Sequence, residues 1–272
     1  MPTTYAHYKL GQAVLAQAPR NTLQVIEAYP QLFSIGLHGP DILFYHNPLV
    51  SNPVMRLGYD MHDRPGSDFF AHAKEVLKAH SGRKDYLSYV YGVLCHFALD
   101  VSCHGYVGEK EADSGVTHAE IESEFDRELL IRDALNPVRT PLARHIIASM
   151  ENAEVIKDFY PDVSAKELKN ALSGMLFYHR LLLSPSKLKR GILFSILKLT
   201  GHYPKMRGLF INYEANSLCI DSNQRLLQLF DEGKELALKL MESFLKYVYE
   251  DAPLEPIYQF NFDGKEITAD EV

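Results

Sequence analysis

DYLSYVYGVLCHFALDVSCHGYV occupies residues 85 to 107. Apolar side chains fall on almost every side of a 3.6-residue period. The stretch therefore predicts a central helix packed by neighbours all round, not a helix with one wet face. Such a helix decides the fold class, because other helices must wrap it. Set into it are His96, Asp100 and His104, four residues apart. Four residues advance a helix by about 400°, so the three groups make a stripe that drifts about 40° per step. Their side chains can converge on one volume beside the helix.

Outward from this helix the same period predicts further helices over 21–32, 68–80, 117–135, 141–151, 164–183 and 221–248. No run alternates as strands do. GLHGPDILFYHNPLVSNP, residues 36–53, is punctuated by Gly and Pro and reads as the main irregular stretch. The tail after Ala252 is Pro-rich, then acidic, and either covers the body or frays. The expectation is one all-α domain over residues 1–272, a multi-helix bundle around the buried central helix.

The 272 residues are 46% hydrophobic, enough for one sizeable core. A net charge of -7 and a pI near 5.9 carry no nucleic-acid signature, so no stable nucleic-acid partner is expected. The three cysteines, Cys95, Cys103 and Cys219, are an odd count and do not read as a disulfide framework. MPTTYAHYKL lacks the parts of a signal peptide, and no window of about 20 residues is apolar enough to span a bilayer. The cytoplasm is the expected compartment.

Burying imidazole and carboxylate without partners is costly, and a divalent cation satisfies both. THAEIE, residues 117–122, adds His118 and Glu122 at i and i+4, with Thr117 or Ser114 placed to cap the helix. His104, His118 and Glu122 then make a two-His, one-carboxylate site with an open position for water. Upstream stand His7, Asp41 in the HGPD turn, and His62. His62, His96 and Asp100 suit a second ion, and His7 reaches a third if Asp100 bridges two metals. His38, His46, His72, His80, His145, His179 and His202 read as structural, although His38 and His46 flank Asp41.

Together these motifs resemble the zinc-dependent phospholipase C family of bacteria. That family shares an all-helical fold and a trinuclear zinc centre with single-strand-specific nucleases. The resemblance rests on His7, the GPD turn ending at Asp41, His62, HFALDVSCH and HAEIE. It implies two to three zinc ions: one on His62, His96 and Asp100, one on His104, His118 and Glu122, one sharing Asp100 with His7. It implies that Asp41 orients or deprotonates the attacking water. The secreted members also use their mature N-terminal amine as a ligand, whereas this sequence begins Met1–Pro2.

The expected activity is metal-dependent phosphodiester hydrolysis, a phospholipase C-type cleavage of a phospholipid headgroup. A nuclease or nucleotidase on the same scaffold, or a non-catalytic metal-stabilised binding protein, are the alternatives. Residues 168–213 contain no Asp or Glu but eight Lys and Arg. Within them SKLKRGILFSILKLTG interleaves basic and apolar residues. By default this is a core helix with a solvated basic edge. Its functional reading is peripheral contact with a membrane surface through 187–207.

Overall fold

A computed structural model describes residues 4–268. The helices are α1 (Thr4–Leu15), α2 (Arg20–Ala28), α3 (Pro30–Gly36), α4 (Pro53–Asp63), α5 (Gly66–Ala79), α6 (Lys84–Ser114), α7 (His118–Arg132), α8 (Met150–Ile156), α9 (Ala165–Leu182), α10 (Lys187–Leu199), α11 (Tyr203–Met206) and α12 (Ile220–Tyr249). Among the described residues the only extended pairings are two isolated bridges, and the fold is all-α.

The expected central helix is α6, longer at its C-terminal end than its apolar run implied. Its 31 residues extend about 46 Å. Every residue from Tyr89 to Asp100 is buried. Two helices lie closest to it, α3 and α12. The α3 crossing is tight enough to need two glycines. A Cβ on Gly36 would strike the Tyr89 carbonyl oxygen, and one on Gly92 the Phe33 carbonyl oxygen. Gly115, at φ +68°, ends α6 in the left-handed region. Thr117 then opens α7, its hydroxyl accepting the Glu120 N–H.

Two expected helices are corrected. The one over 21–32 is split at Tyr29, because Pro30 lacks an N–H and pushes the preceding residue out of the helical region. The one over 141–151 does not form. Residues 142–145 make turns that still bury Ala143 and Ile146, and the helix begins at Met150 behind the Ser149 cap. The stretch expected to be irregular contains a 3-10 helix, Gly39–Tyr45, buried throughout. α1, α4 and α8 were not anticipated.

The tail covers the body. Tyr258 and Phe262 are buried, with Phe262 against Phe97 at a centroid distance of 5.2 Å. The default reading of 187–199 as a core helix also fails. α10 buries only Arg190, and it leaves Leu188 at 75% and Leu199 at 88% exposure. No helix among the described residues is long and apolar enough to cross a membrane.

Candidate metal centre

The stripe on α6 meets three other segments. His7 arrives from α1, Asp41 from the 3-10 helix and His62 from the last turn of α4. His118 and Glu122 arrive from the first two turns of α7. All eight side chains anticipated as ligands or as catalytic fall into three clusters: His7, His96 and Asp100; Asp41, His62 and His96; His104, His118 and Glu122.

The grouping differs from the expected one in two respects. His62 lies with His96 as expected but meets Asp41 in place of Asp100, with Asp41 Oδ1 2.9 Å from His62 Nε2, and His96 also joins His7 and Asp100. Asp41 therefore lies inside one of the three clusters. Asp100 divides its oxygens as a bridging carboxylate does. Its Oδ2 lies 3.0 Å from His96 Nε2, while its Oδ1 lies 3.3 Å from His7 Nε2 and 3.6 Å from His104 Nε2. Glu122 Oε1 sits 3.3 Å from His104 Nε2 and 3.2 Å from His118 Nε2.

Zinc ligands about 2.1 Å from the ion and tetrahedrally disposed stand about 3.4 Å from each other. The separations here cluster around that value. Hydrogen bonding does not account for all of them. His96 Nε2 is 3.0 Å from Asp100 but not aligned to donate, and among the described residues neither nitrogen of His96 has a hydrogen-bond partner. His7 Nδ1 and Glu122 Oε2 are likewise buried and unmatched. Buried polar atoms that converge without bonding are what an ion-binding cradle requires.

Backbone carbonyls set two of the imidazoles. His62 donates Nδ1–H to Gly58 O at 2.7 Å, and His104 donates Nδ1–H to Phe262 O at 2.7 Å. Each bond turns the ring so that Nε2 faces the cluster. A third support is Asp126, one turn beyond Glu122, which accepts the N–H groups of Tyr5 and Ala6 at 3.0 and 2.8 Å. It anchors the start of α1 and so places His7. Burial pushes the Asp126 carboxyl up to about 8, with the two N–H bonds pulling it the other way. Gly39, at φ +43°, lets the 3-10 helix pass over the His96 ring, which a Cβ would strike.

Charge follows the geometry. Burial alone would raise the Asp100 and Glu122 carboxyls, but the facing His96 and His104 hold Asp100 well below the carboxylate range, and Glu122 is held there too, with His104 and His118 among the causes. Burial alone would lower His104, but Asp100 and Glu122 lift it to about 9. The site thus offers ionised carboxylates in a buried setting, a strong cation field. Its edge opens at His118, whose side chain is 33% exposed. Six of the seven histidines set aside as structural, all but His202, bond outside the three clusters. His38 pairs with His145 at 2.7 Å, His46 Nδ1 meets Glu167 O, and His179 meets Thr4 and Tyr45. Met1 and Pro2 lie outside the described residues.

An all-α body that gathers imidazoles and carboxylates from α1, α4, α6 and α7 into adjoining clusters defines a metal-dependent hydrolase scaffold. A family model described as zinc-dependent phospholipase C matches residues 6–179, and the chain belongs to that family. No curated protein and no solved structure compared with it matches.

Proposed function

We propose that this protein hydrolyses a phosphodiester, most directly the headgroup linkage of a phospholipid, as a phospholipase C does. The observation that carries the reading is the set of ligand atoms 2.9 to 3.6 Å apart with buried nitrogen and oxygen atoms left unmatched. We assign His7, His62, His96, Asp100, His104, His118 and Glu122 as ligands of two to three zinc ions, with Asp41 beside them. Zinc, when bound, supplies a water of lowered pKa and positive charge for the phosphate oxygens.

The chain's own groups do the rest. Asp100 faces two clusters and fixes their spacing. Burial raises the Asp41 carboxyl, and His62 and His96 are among the groups that lower it. We assign it to orient the attacking water and to accept its proton. The exposed edge at His118 is the side from which a phosphate group would enter. Exposed apolar side chains on α10, flanked by Lys187 and Lys198, support peripheral contact with a lipid surface.

Elemental analysis of the purified protein and of Asp100→Asn tests the ligand set. Two to three metals per chain are expected, with at least one lost in the variant. Unchanged metal content removes the bridging role. Turnover compared on a phospholipid, a nitrophenyl phosphodiester and single-stranded DNA tests the substrate, and the lipid is expected to be the best of the three.

A further inference from the structure

Behind α10 lies a cavity of about 720 Å³. Its volume falls within the range of about 300–1,000 Å³ typical of small-molecule sites. None of the eight candidate metal-centre residues lines it. Its wall is mostly aliphatic and aromatic, from Leu142, Leu182, Leu193, Leu197, Leu209 and Phe210. The pocket opens to solvent on one side, and a concave apolar space of this size is the form small-molecule sites take.

One lining side chain does not belong in an apolar wall. Arg190 is only 8% exposed. Its guanidinium carbon stands 4.0 Å from the centre of the Tyr213 ring and 6.0 Å from that of Phe210. Among the described residues its Nε has no hydrogen-bond partner and no carboxylate lies within 4.0 Å of it. Guanidinium stays charged when buried, so the fold keeps an unpaired cation at an apolar cavity. Asp126 also lines the cavity, but its carboxylate is committed to the Tyr5 and Ala6 N–H groups. The histidines on the wall, His179 and His202, supply no anion. No Asp or Glu occurs from residue 168 to residue 213. Among the described residues, then, no side chain supplies Arg190 with a counter-charge.

We propose that this cavity binds an anionic amphiphile, its carboxylate or phosphate head on Arg190 and its aliphatic chain among the leucines. Ala119, Ser123 and Asp126 of α7, neighbours of His118 and Glu122, form part of its wall, so the cavity adjoins the metal centre without including a candidate ligand; the proposal does not rest on the hydrolytic reading. α10 and Tyr213 both lie beyond residues 6–179, the stretch that matches the family model. α10 is suited to being a cover. It turns Leu193 and Leu197 toward the cavity, and Arg190 is its only buried residue.

Calorimetric titration of the intact, metal-loaded protein tests the proposal. The probes are hexadecanoate, hexadecyl phosphate and hexadecanol, all below their aggregation concentrations. Both anions are expected to bind at least tenfold more tightly than the alcohol, and their order says whether a fatty acid or a phosphate-headed lipid is the better guest. Affinity should rise about fourfold per added methylene along a series of shorter carboxylates until the cavity is full. Arg190→Met should abolish the preference for anions while keeping the dependence on chain length. Leu197→Trp should weaken every probe by tenfold or more, and as the only Trp in the chain its emission also reports that the variant is folded. The proposal is overturned if the wild-type protein binds none of the probes, or binds alcohol and anions equally.

Discussion

His7 is placed by a residue that is not a ligand. Asp126 holds the N–H groups of Tyr5 and Ala6, and those bonds fix where α1 begins. Losing a buried acceptor leaves two donors unmatched, at a cost of about 1–3 kcal/mol each. Asp126→Ala should therefore loosen the start of α1 and release the ion that His7 helps to hold. The set on His104, His118 and Glu122 should keep its ion. Metal per chain, read beside circular dichroism, checks this, and a folded variant with full metal content contradicts it. A second residue-scale effect concerns acid. Burial, with help from His179 and Arg144, pushes His145 down to about 4. The folded state keeps it neutral while the unfolded chain takes up a proton near pH 6.5. Between those values the unfolded state binds more protons, so stability rises with pH and is lost on acidification from 6.5 towards 4. In metal-stripped protein, His145→Gln should lose about 1–2 kcal/mol less than the wild type between pH 7 and pH 5. Urea unfolding at the two pH values measures this.

At the level of elements, the tail is the segment whose role is easiest to test. The Phe262 carbonyl holds His104 Nδ1, and the Phe262 ring stands 5.5 Å from His62 and 5.7 Å from His96. A chain ending at Ala252 would lose that acceptor and uncover three candidate ligands. It should bind zinc at least tenfold more weakly than the full chain in a chelator competition. Equal affinity would reduce the tail to packing. The contrast between α6 and the tail shows what the sequence could disclose. In α6 the apolar positions fill the whole helical period, and the i, i+4 stripe puts His96, Asp100 and His104 on one line by geometry alone. His118 and Glu122 share that logic on α7. Nothing in the residues near Phe262 advertises a carbonyl that reaches His104 across 158 positions. Gly58 O and the pairing of Asp41 with His62 were hidden for the same reason: each depends on where a distant backbone comes to rest. The stretch over 141–151 misled because successive turns can bury Ala143 and Ile146 as well as a helix can.

Across the whole molecule, the candidate ligands tie together α1, the 3-10 helix, α4, α6 and α7, and α12 runs along α6 from beyond residue 179. We propose that the chain folds as one unit, with the ion cluster as its cross-link. Without cations, several carboxylates and imidazoles face one another in a buried space, and among the described residues His96 finds no hydrogen-bond partner for either nitrogen. An ion present at about 1,000 times its dissociation constant stabilises the folded state by about 4 kcal/mol. For a chain of this size each kcal/mol moves the melting temperature by about 2–4 °C. Stripping one tightly held ion should therefore lower the melting temperature by about 8–16 °C, in a single transition before and after. Scanning calorimetry with and without chelator, then with zinc restored, reads both quantities. A chelated protein that has lost its metal yet melts unchanged would mean that the cluster does not brace the fold. Two separate transitions would divide the chain into independent parts.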